Sequence, residues 1–358
     1  MLVQRVVAPT GGGPSWTVVD ERFEPVKPIE EYLAHLQAIE RSPNTVRAYA
    51  SSLRLFFEHL GAHGIAWDTV KLDDIGRFVS FLRAPAEDVV VIDASISLRA
   101  APTINRHLAA VFGLYDFHAR RGVTVAAELV DWRRGGRRAY KPFLDQVGGR
   151  TRRMPRRPVR LRTPRRVPAT LDVEQIAALL GACEHRRDRL LIALLAETGM
   201  RVGQALGLHH SDVVSRERTI RIVPRDDNAN GARAKCHSEA AIPVSAGLVR
   251  LYSEYLFEEY GELDSDYVFV NLFAEPIGRP LSYSAVSGLV DRLRRRTGID
   301  FSLHMLRHSA ASEWIRAGVP IEIVSKLLTH ANVATTSETY VHLTVEDMRS
   351  ALAKAGGL

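Results

Sequence analysis

His304-Met305-Leu306-Arg307-His308-Ser309 is the stretch on which the reading of this chain turns. A histidine and an arginine three positions apart share one face of a helix, a turn from each other. Ser302 suits the N-cap of that helix, which is expected to reach Ala317 with Leu303, Leu306, Ala310 and Trp314 on its buried side. Val319-Pro320 should open a second helix with Ile321, Ile323, Val324, Leu327 and Leu328 as its apolar residues and His330 at its end. Tyr340 follows ten residues after His330. Upstream, Thr198-Gly199-Met200-Arg201 reads as a turn opening another helix. Singly, each feature is ordinary. A helical His-x-x-Arg usually lies on a solvated face, a late histidine partners the helix dipole, and a lone tyrosine packs. The chain order of two arginines, two histidines and a late tyrosine carries more than its parts.

Working outward, Thr219-Ile220-Arg221-Ile222-Val223 alternates as a strand does, and Ala240-Ala241-Ile242-Pro243-Val244 suits a return strand across a polar hairpin loop. Tyr267-Val268-Phe269-Val270 is a further extended stretch. Lys235 lies in the hairpin loop and is the only lysine between Lys141 and Lys326. In so arginine-rich a chain, a single lysine points to a need for a titratable ammonium. Asp172 with Gln175 forms a capping box for the helix before Leu190–Leu195.

The first third is helical. Ser42-Pro43 starts a helix bearing Val46, Tyr49, Leu53, Phe56 and Leu60. Ile75, Phe78, Val79 and Leu82 mark another, and Thr103 is read as the cap of a third with Ile104, Leu108, Val111, Phe112 and Tyr115. Residues 1–24 read as a flexible arm, 25–132 as a helical module, 133–168 as a basic, proline-punctuated linker, 169–343 as a second domain and 344–358 as a C-terminal helix or tail. The expected fold is therefore mainly α with a small antiparallel β-sheet.

Charge narrows the partner. The 358 residues hold 48 Lys and Arg against 41 Asp and Glu, a formal net charge of +7. The excess concentrates between Arg133 and Arg166, a run suited to a polyphosphate partner. Two cysteines, Cys183 and Cys236, build neither a disulfide framework nor a cysteine metal site. The longest apolar run falls far short of a membrane span, so no membrane partner is expected. No acidic cluster resembles a two-metal site.

In order, these residues resemble the tyrosine recombinase (phage integrase) family, over about Ile29 to Tyr340. Thr198–Arg201 resembles its first-arginine box, His304–Ser309 its central motif, and Thr335-Thr336 with Tyr340-Val341-His342 its tyrosine box. Ser42-Pro43-Asn44-Thr45-Val46-Arg47-Ala48-Tyr49 resembles the opening helix of its core-binding domain. The resemblance implies an N-terminal helical, SAM-like core-binding domain and a C-terminal α+β catalytic domain that clamp duplex DNA. It implies a catalytic set of Arg201, Lys235, His304, Arg307, His330 and the nucleophile Tyr340, working without metal or cofactor. DNA contacts are expected from Thr45, Arg47, Arg150, Arg152, Arg153, Arg156 and Arg157. By the same resemblance, four protomers act on two recombination sites through a Holliday junction, with partner recombinases or accessory proteins. The two cysteines, the N-terminus without a signal-peptide apolar core and the short apolar runs set the expected localisation as cytoplasmic, at the nucleoid. The tail after Thr344, with Asp347 at its capping-box position, is equally suited to reach a neighbouring protomer or to pack on its own domain.

Three departures stand out. Gln204 replaces the usual glutamate three residues after the first arginine, Thr329 replaces the glycine before the second histidine, and the His330–Tyr340 interval is one residue longer than the commonest. The insertion at 84–102 and the long linker favour a transposon- or phage-encoded integrase over a chromosome-dimer resolvase. A type IB topoisomerase and a catalytically silent DNA-binding accessory protein are the alternatives.

Overall fold

The computed structural model describes residues 1–6, 15–84, 99–129, 159–163, 168–234, 238–329 and 336, and the backbone of 131–134 and 153–156. The chain divides into two units, Met1–Arg165 and Arg166–Leu358.

Apolar periodicity builds the first unit. Helices α1 (Lys27–Ala38), α2 (Pro43–Ala62), α3 (Leu72–Arg83) and α4 (Ala101–Arg120) turn their apolar stripes onto one core. At its centre Phe56 meets Phe78 and Tyr115 edge-on, with centroids 4.9 and 6.2 Å away. The Tyr115 hydroxyl donates to the Trp67 carbonyl at 2.7 Å, so its polar end is satisfied inside the core. Ser42 caps α2 by accepting from the Thr45 amide, with Pro43 in the first turn. Helix α4 starts two residues before the expected cap. Pro102, which lacks the N–H a first turn leaves unpaired anyway, sits in that turn, and Thr103 lies inside the helix.

Residues 1–24, expected as a flexible arm, contain an antiparallel hairpin. Strand β1 (Leu2–Val6) pairs with β2 (Ser15–Val19) in the register Leu2↔Val19. Val18 is fully buried in the helical core, and Val19 is nearly so. A two-stranded hairpin is marginal alone, and here packing against α1 and α2 holds it. The Arg47 guanidinium lies 4.7 Å over the Trp16 ring. The expected linker also carries structure. The backbone of β3 (Asp131–Arg134) pairs with that of β4 (Arg153–Arg156). Val159 and Leu161 pack on the first core. The Asn105 amide takes both backbone groups of Leu161, donating to its carbonyl at 2.9 Å and accepting from its amide at 2.8 Å.

The second unit is α+β. Helix α5 (Val173–Gly181) starts at the Asp172–Gln175 capping box. The apolar helix α6 (Arg186–Thr198) runs through the core. Helix α7 (Val202–Leu206) leads into a three-stranded antiparallel sheet, β5 (Val213–Val214), β6 (Thr219–Ile222) and β7 (Ala240–Pro243), in that order. Helices α8 (Ala246–Tyr255), α9 (Tyr283–Thr297), α10 (Leu303–Arg316) and α11 (Ile321–Leu327) follow. The stretch Tyr267–Val270 is extended but joins no ladder. It makes isolated bridges, His209↔Tyr267 and Val270↔Pro280, because its amides and carbonyls pair with loop segments on either side. The Ser309 hydroxyl accepts from the Leu171 amide at 2.7 Å and ties the entry of this unit to α10.

Candidate active site

Two helix ends and one buried arginine form the centre of the second unit. Helix α6 stops at Gly199, whose φ of 59° is left-handed. A Cβ there would lie 3.1 Å from Leu328 Cδ2 and 3.3 Å from Ala310 Cβ, so glycine answers both the backbone angle and the close approach. Helix α11 ends at Leu328, which is fully buried. The Arg307 guanidinium lies where these ends meet. It donates to the Gly199 carbonyl and to the Leu328 carbonyl, each at 2.7 Å, and the residue is only 3% exposed. Both acceptors sit at helix C-termini, where the backbone dipoles favour a cation. The planar fork reaches two separate carbonyls from two different nitrogens, whereas an ammonium has one compact nitrogen to share between them.

Arg201 approaches the same corner from the start of α7. Its backbone amide donates to Gln204 Oε1 at 2.7 Å, and its Nη1 donates to the Thr329 hydroxyl at 3.1 Å. Gln204 Nε2 donates to that same hydroxyl at 2.9 Å. The two arginines, 106 positions apart in the sequence (307 − 201), thus grip consecutive residues, Leu328 and Thr329, immediately before His330.

His304 and Arg307 were expected on one helical face with Leu303, Leu306, Ala310 and Trp314 beneath. Leu306 and Ala310 are buried and Trp314 is half-buried, but Arg307 is itself enclosed while His304 is exposed. The carbonyls that close over Arg307 account for the difference. The His304 ring meets that of His308 edge-on at 5.8 Å. Burial, then the neighbouring His304 and Arg307, push the His308 imidazole below its ordinary pKa, which disfavours a second positive charge beside the arginine. Ser302 is the N-cap residue of α10 by position, without a side-chain hydrogen bond.

The loop between β6 and β7 is anchored at several points before it reaches Lys235. Arg225 holds buried Asp212 through two hydrogen bonds of 2.7 and 2.8 Å. Asn230 Nδ2 donates to the Leu206 and Leu281 carbonyls at 3.0 and 2.9 Å, and Asn230 Oδ1 accepts from the Ala232 amide. A Cβ on Gly203 would fall 2.6 Å from the Arg233 carbonyl, so glycine in α7 lets the loop approach the Arg201 helix. Sequence reasoning did not single out Asn230 or Gly203. An asparagine-glycine pair in a hairpin loop signals a turn, but not that the amide staples it to α7 and to Leu281.

Lys235, His330 and Tyr340 lie outside the described residues, as do Arg150, Arg152, Arg157 and the tail from 344. Thr336, from the stretch likened to the tyrosine box, is fully buried. Arg153 and Arg156 are described as backbone of β4 only. Thr45 and Arg47 belong to the first unit at the start of α2, where Arg47 is exposed. Among the described residues, no group of three or more His, Cys, Asp and Glu is arranged to hold a metal ion. No helix among them is long and apolar enough to cross a membrane.

Residues 169–347 match the phage integrase family, and residues 29–122 match the phage integrase N-terminal SAM-like domain. Transposase A from transposon Tn554 of Staphylococcus aureus is 34% identical over 352 residues, 98% of this chain and 96% of the relative. This chain belongs to the phage integrase family. Tyrosine recombinase XerD of Mycobacterium leprae is 30% identical over 341 residues, covering 91% of this chain and 96% of XerD. Among solved structures, the Tn1549 transposon integrase in complex with transposon right end DNA superposes with a TM-score of 0.64. It shares 16% identity, with 92% of this chain and 99% of that one covered, a likeness of fold. The integrase family to which the chain belongs is one of tyrosine recombinases, enzymes that cut and rejoin DNA.

Proposed function

We propose that this integrase is the site-specific recombinase of a mobile element, cutting and rejoining duplex DNA through a 3′-phosphotyrosyl intermediate without a metal ion. The observation that carries the reading is the corner where Arg307 and Arg201 grip Leu328 and Thr329. Two guanidinium groups fixed beside position 330 suit a scissile phosphate. The similarity to the Tn554 transposase supports a mobile-element role.

In this reading the Tyr340 phenolic oxygen bonds to phosphorus as the bond to the 5′ oxygen breaks, exchanging one ester for another. Arg201 and Arg307 neutralise the nonbridging oxygens, whose charge grows in the transition state. His330 donates a hydrogen bond to the same phosphate. His304 receives the tyrosine proton or steadies the phosphate. Lys235 gives a proton to the departing 5′ oxygen. The reaction reverses when a 5′ hydroxyl from the partner site attacks the phosphotyrosine, and two rounds pass through a Holliday junction. Four protomers on two sites supply the four cuts. Thr45, Arg47 and the linker arginines Arg150, Arg152, Arg153, Arg156 and Arg157 hold phosphates along the duplex, so affinity falls with salt.

The test is a plasmid carrying two copies of the element-end junction, incubated with the protein in EDTA. Recombinant circles are expected. Relaxation of a plasmid lacking any site, with no recombinants from the two-site plasmid, would instead support a topoisomerase.

A further inference from the structure

Thr329 occupies a backbone conformation that β-branched residues rarely adopt. Its φ is 52°, in the left-handed region, where a Cβ crowds the backbone and glycine is at ease. Backbone strain of this kind clusters at functional sites. The Thr329 hydroxyl accepts from Arg201 Nη1 at 3.1 Å and from Gln204 Nε2 at 2.9 Å, using both oxygen lone pairs. Gln204, itself 3% exposed, accepts from the Arg201 backbone amide at 2.7 Å through its other amide atom.

These contacts close a ring. It runs from the Arg201 amide through the Gln204 carboxamide and the Thr329 hydroxyl, back to the Arg201 guanidinium. The ring suits both residue types. A glutamate at 204 could accept from the Arg201 amide and from the Thr329 hydroxyl, but it would place a negative charge beside the guanidinium and leave that hydroxyl one donor fewer to accept from. A glycine at 329 would relieve the backbone and remove the oxygen on which both donors converge. The amide and the hydroxyl are also neutral, so they orient the guanidinium without offsetting its charge.

We propose that Gln204 and Thr329 are a coupled pair of positioning residues that aims the Arg201 guanidinium at the scissile phosphate. The pairing rests on Arg201 being a phosphate ligand and explains how one departure from the family pattern answers the other.

Covalent adduct formation by the full-length protein is the readout, on a nicked suicide duplex of the element-end junction. Each variant is measured on an ordinary scissile phosphate and on a methylphosphonate, which lacks one negative charge. On the phosphate, Thr329→Val, which keeps the branched shape, and Gln204→Met each slow adduct formation roughly ten- to hundredfold, the loss of a hydrogen bond to a charged group. The double variant is no slower than the slower single one. Thr329→Ser restores a rate near wild type. On the methylphosphonate, whose reaction depends less on Arg201, the gap between Thr329→Val and wild type shrinks toward one. A Thr329→Val variant as fast as wild type, while Arg201→Ala is inactive, overturns the pair and leaves the arginine's role standing. Equal slowing on both substrates also overturns it, since that is the mark of a merely structural residue. An Arg201→Ala variant as active as wild type removes the reading of Arg201 and the pair with it.

Discussion

Arg307 shows what a single position contributes and what sequence alone conceals. Its type and its spacing from His304 were legible, because a helix puts residues three apart on one side. Its burial was not. That depends on Gly199 and Leu328, more than a hundred and about twenty positions away, ending their helices at the same point. Such convergence is a tertiary event with no local trace beyond the glycine. The burial makes a sharp prediction. Arg307→Lys keeps the charge but loses the fork that spans two carbonyls, so adduct formation on a suicide substrate should fall about a hundredfold. Filter-binding affinity for the same DNA should change less than about threefold, since in the proposed function Arg307 is one phosphate contact among many. Wild-type adduct rates in Arg307→Lys would show that the two-carbonyl fork is not what orients the cation. Thr329 teaches the same lesson at the neighbouring residue. Its departure from the family pattern was visible, but its partners, Gln204 and Arg201, were not.

Elements with strong local signals were readable, and those held by distant partners were not. The proline start of α2, the Asp172–Gln175 box of α5 and the β6–β7 pair follow from capping and alternation. The β1–β2 hairpin was missed because neither Leu2–Val6 nor Ser15–Val19 alternates cleanly, and a hairpin of this size is stable only once Val18 enters the helical core. The two-residue strand β5 has too little sequence to carry a period. The anchored β6–β7 loop yields the prediction at this scale. If Lys235 protonates the leaving group, Lys235→Ala should slow cleavage by roughly 10²- to 10⁴-fold. Asn230→Ala, which frees the loop from the Leu206 and Leu281 carbonyls, should slow it less. A substrate with sulfur as the 5′ bridging atom needs no such proton and should restore both variants. Persistence of both defects on that substrate would separate the loop from leaving-group protonation.

For the whole molecule, the class was accessible early because the features that define it are chemical and ordered along the chain. A mainly α fold with a small antiparallel sheet follows from periodicity, and family membership follows from the boxes around Arg201, Arg307 and Tyr340. The basic stretch after residue 132 was less transparent. Its composition suggests an unstructured linker, yet Val159–Thr163 is docked on the first unit through Asn105. Composition reports charge, whereas docking depends on one amide finding one peptide group. The proposed function turns on covalent chemistry at Tyr340, and that is best tested directly. Wild type and Tyr340→Phe are incubated in EDTA with a suicide duplex of the element end, labelled on the strand to be cut, and resolved by denaturing electrophoresis. Wild type should carry the labelled DNA through its 3′ phosphate, and Tyr340→Phe should carry none. An adduct formed equally by Tyr340→Phe, or one joined through a 5′ phosphate, would contradict the assignment of this tyrosine as the nucleophile.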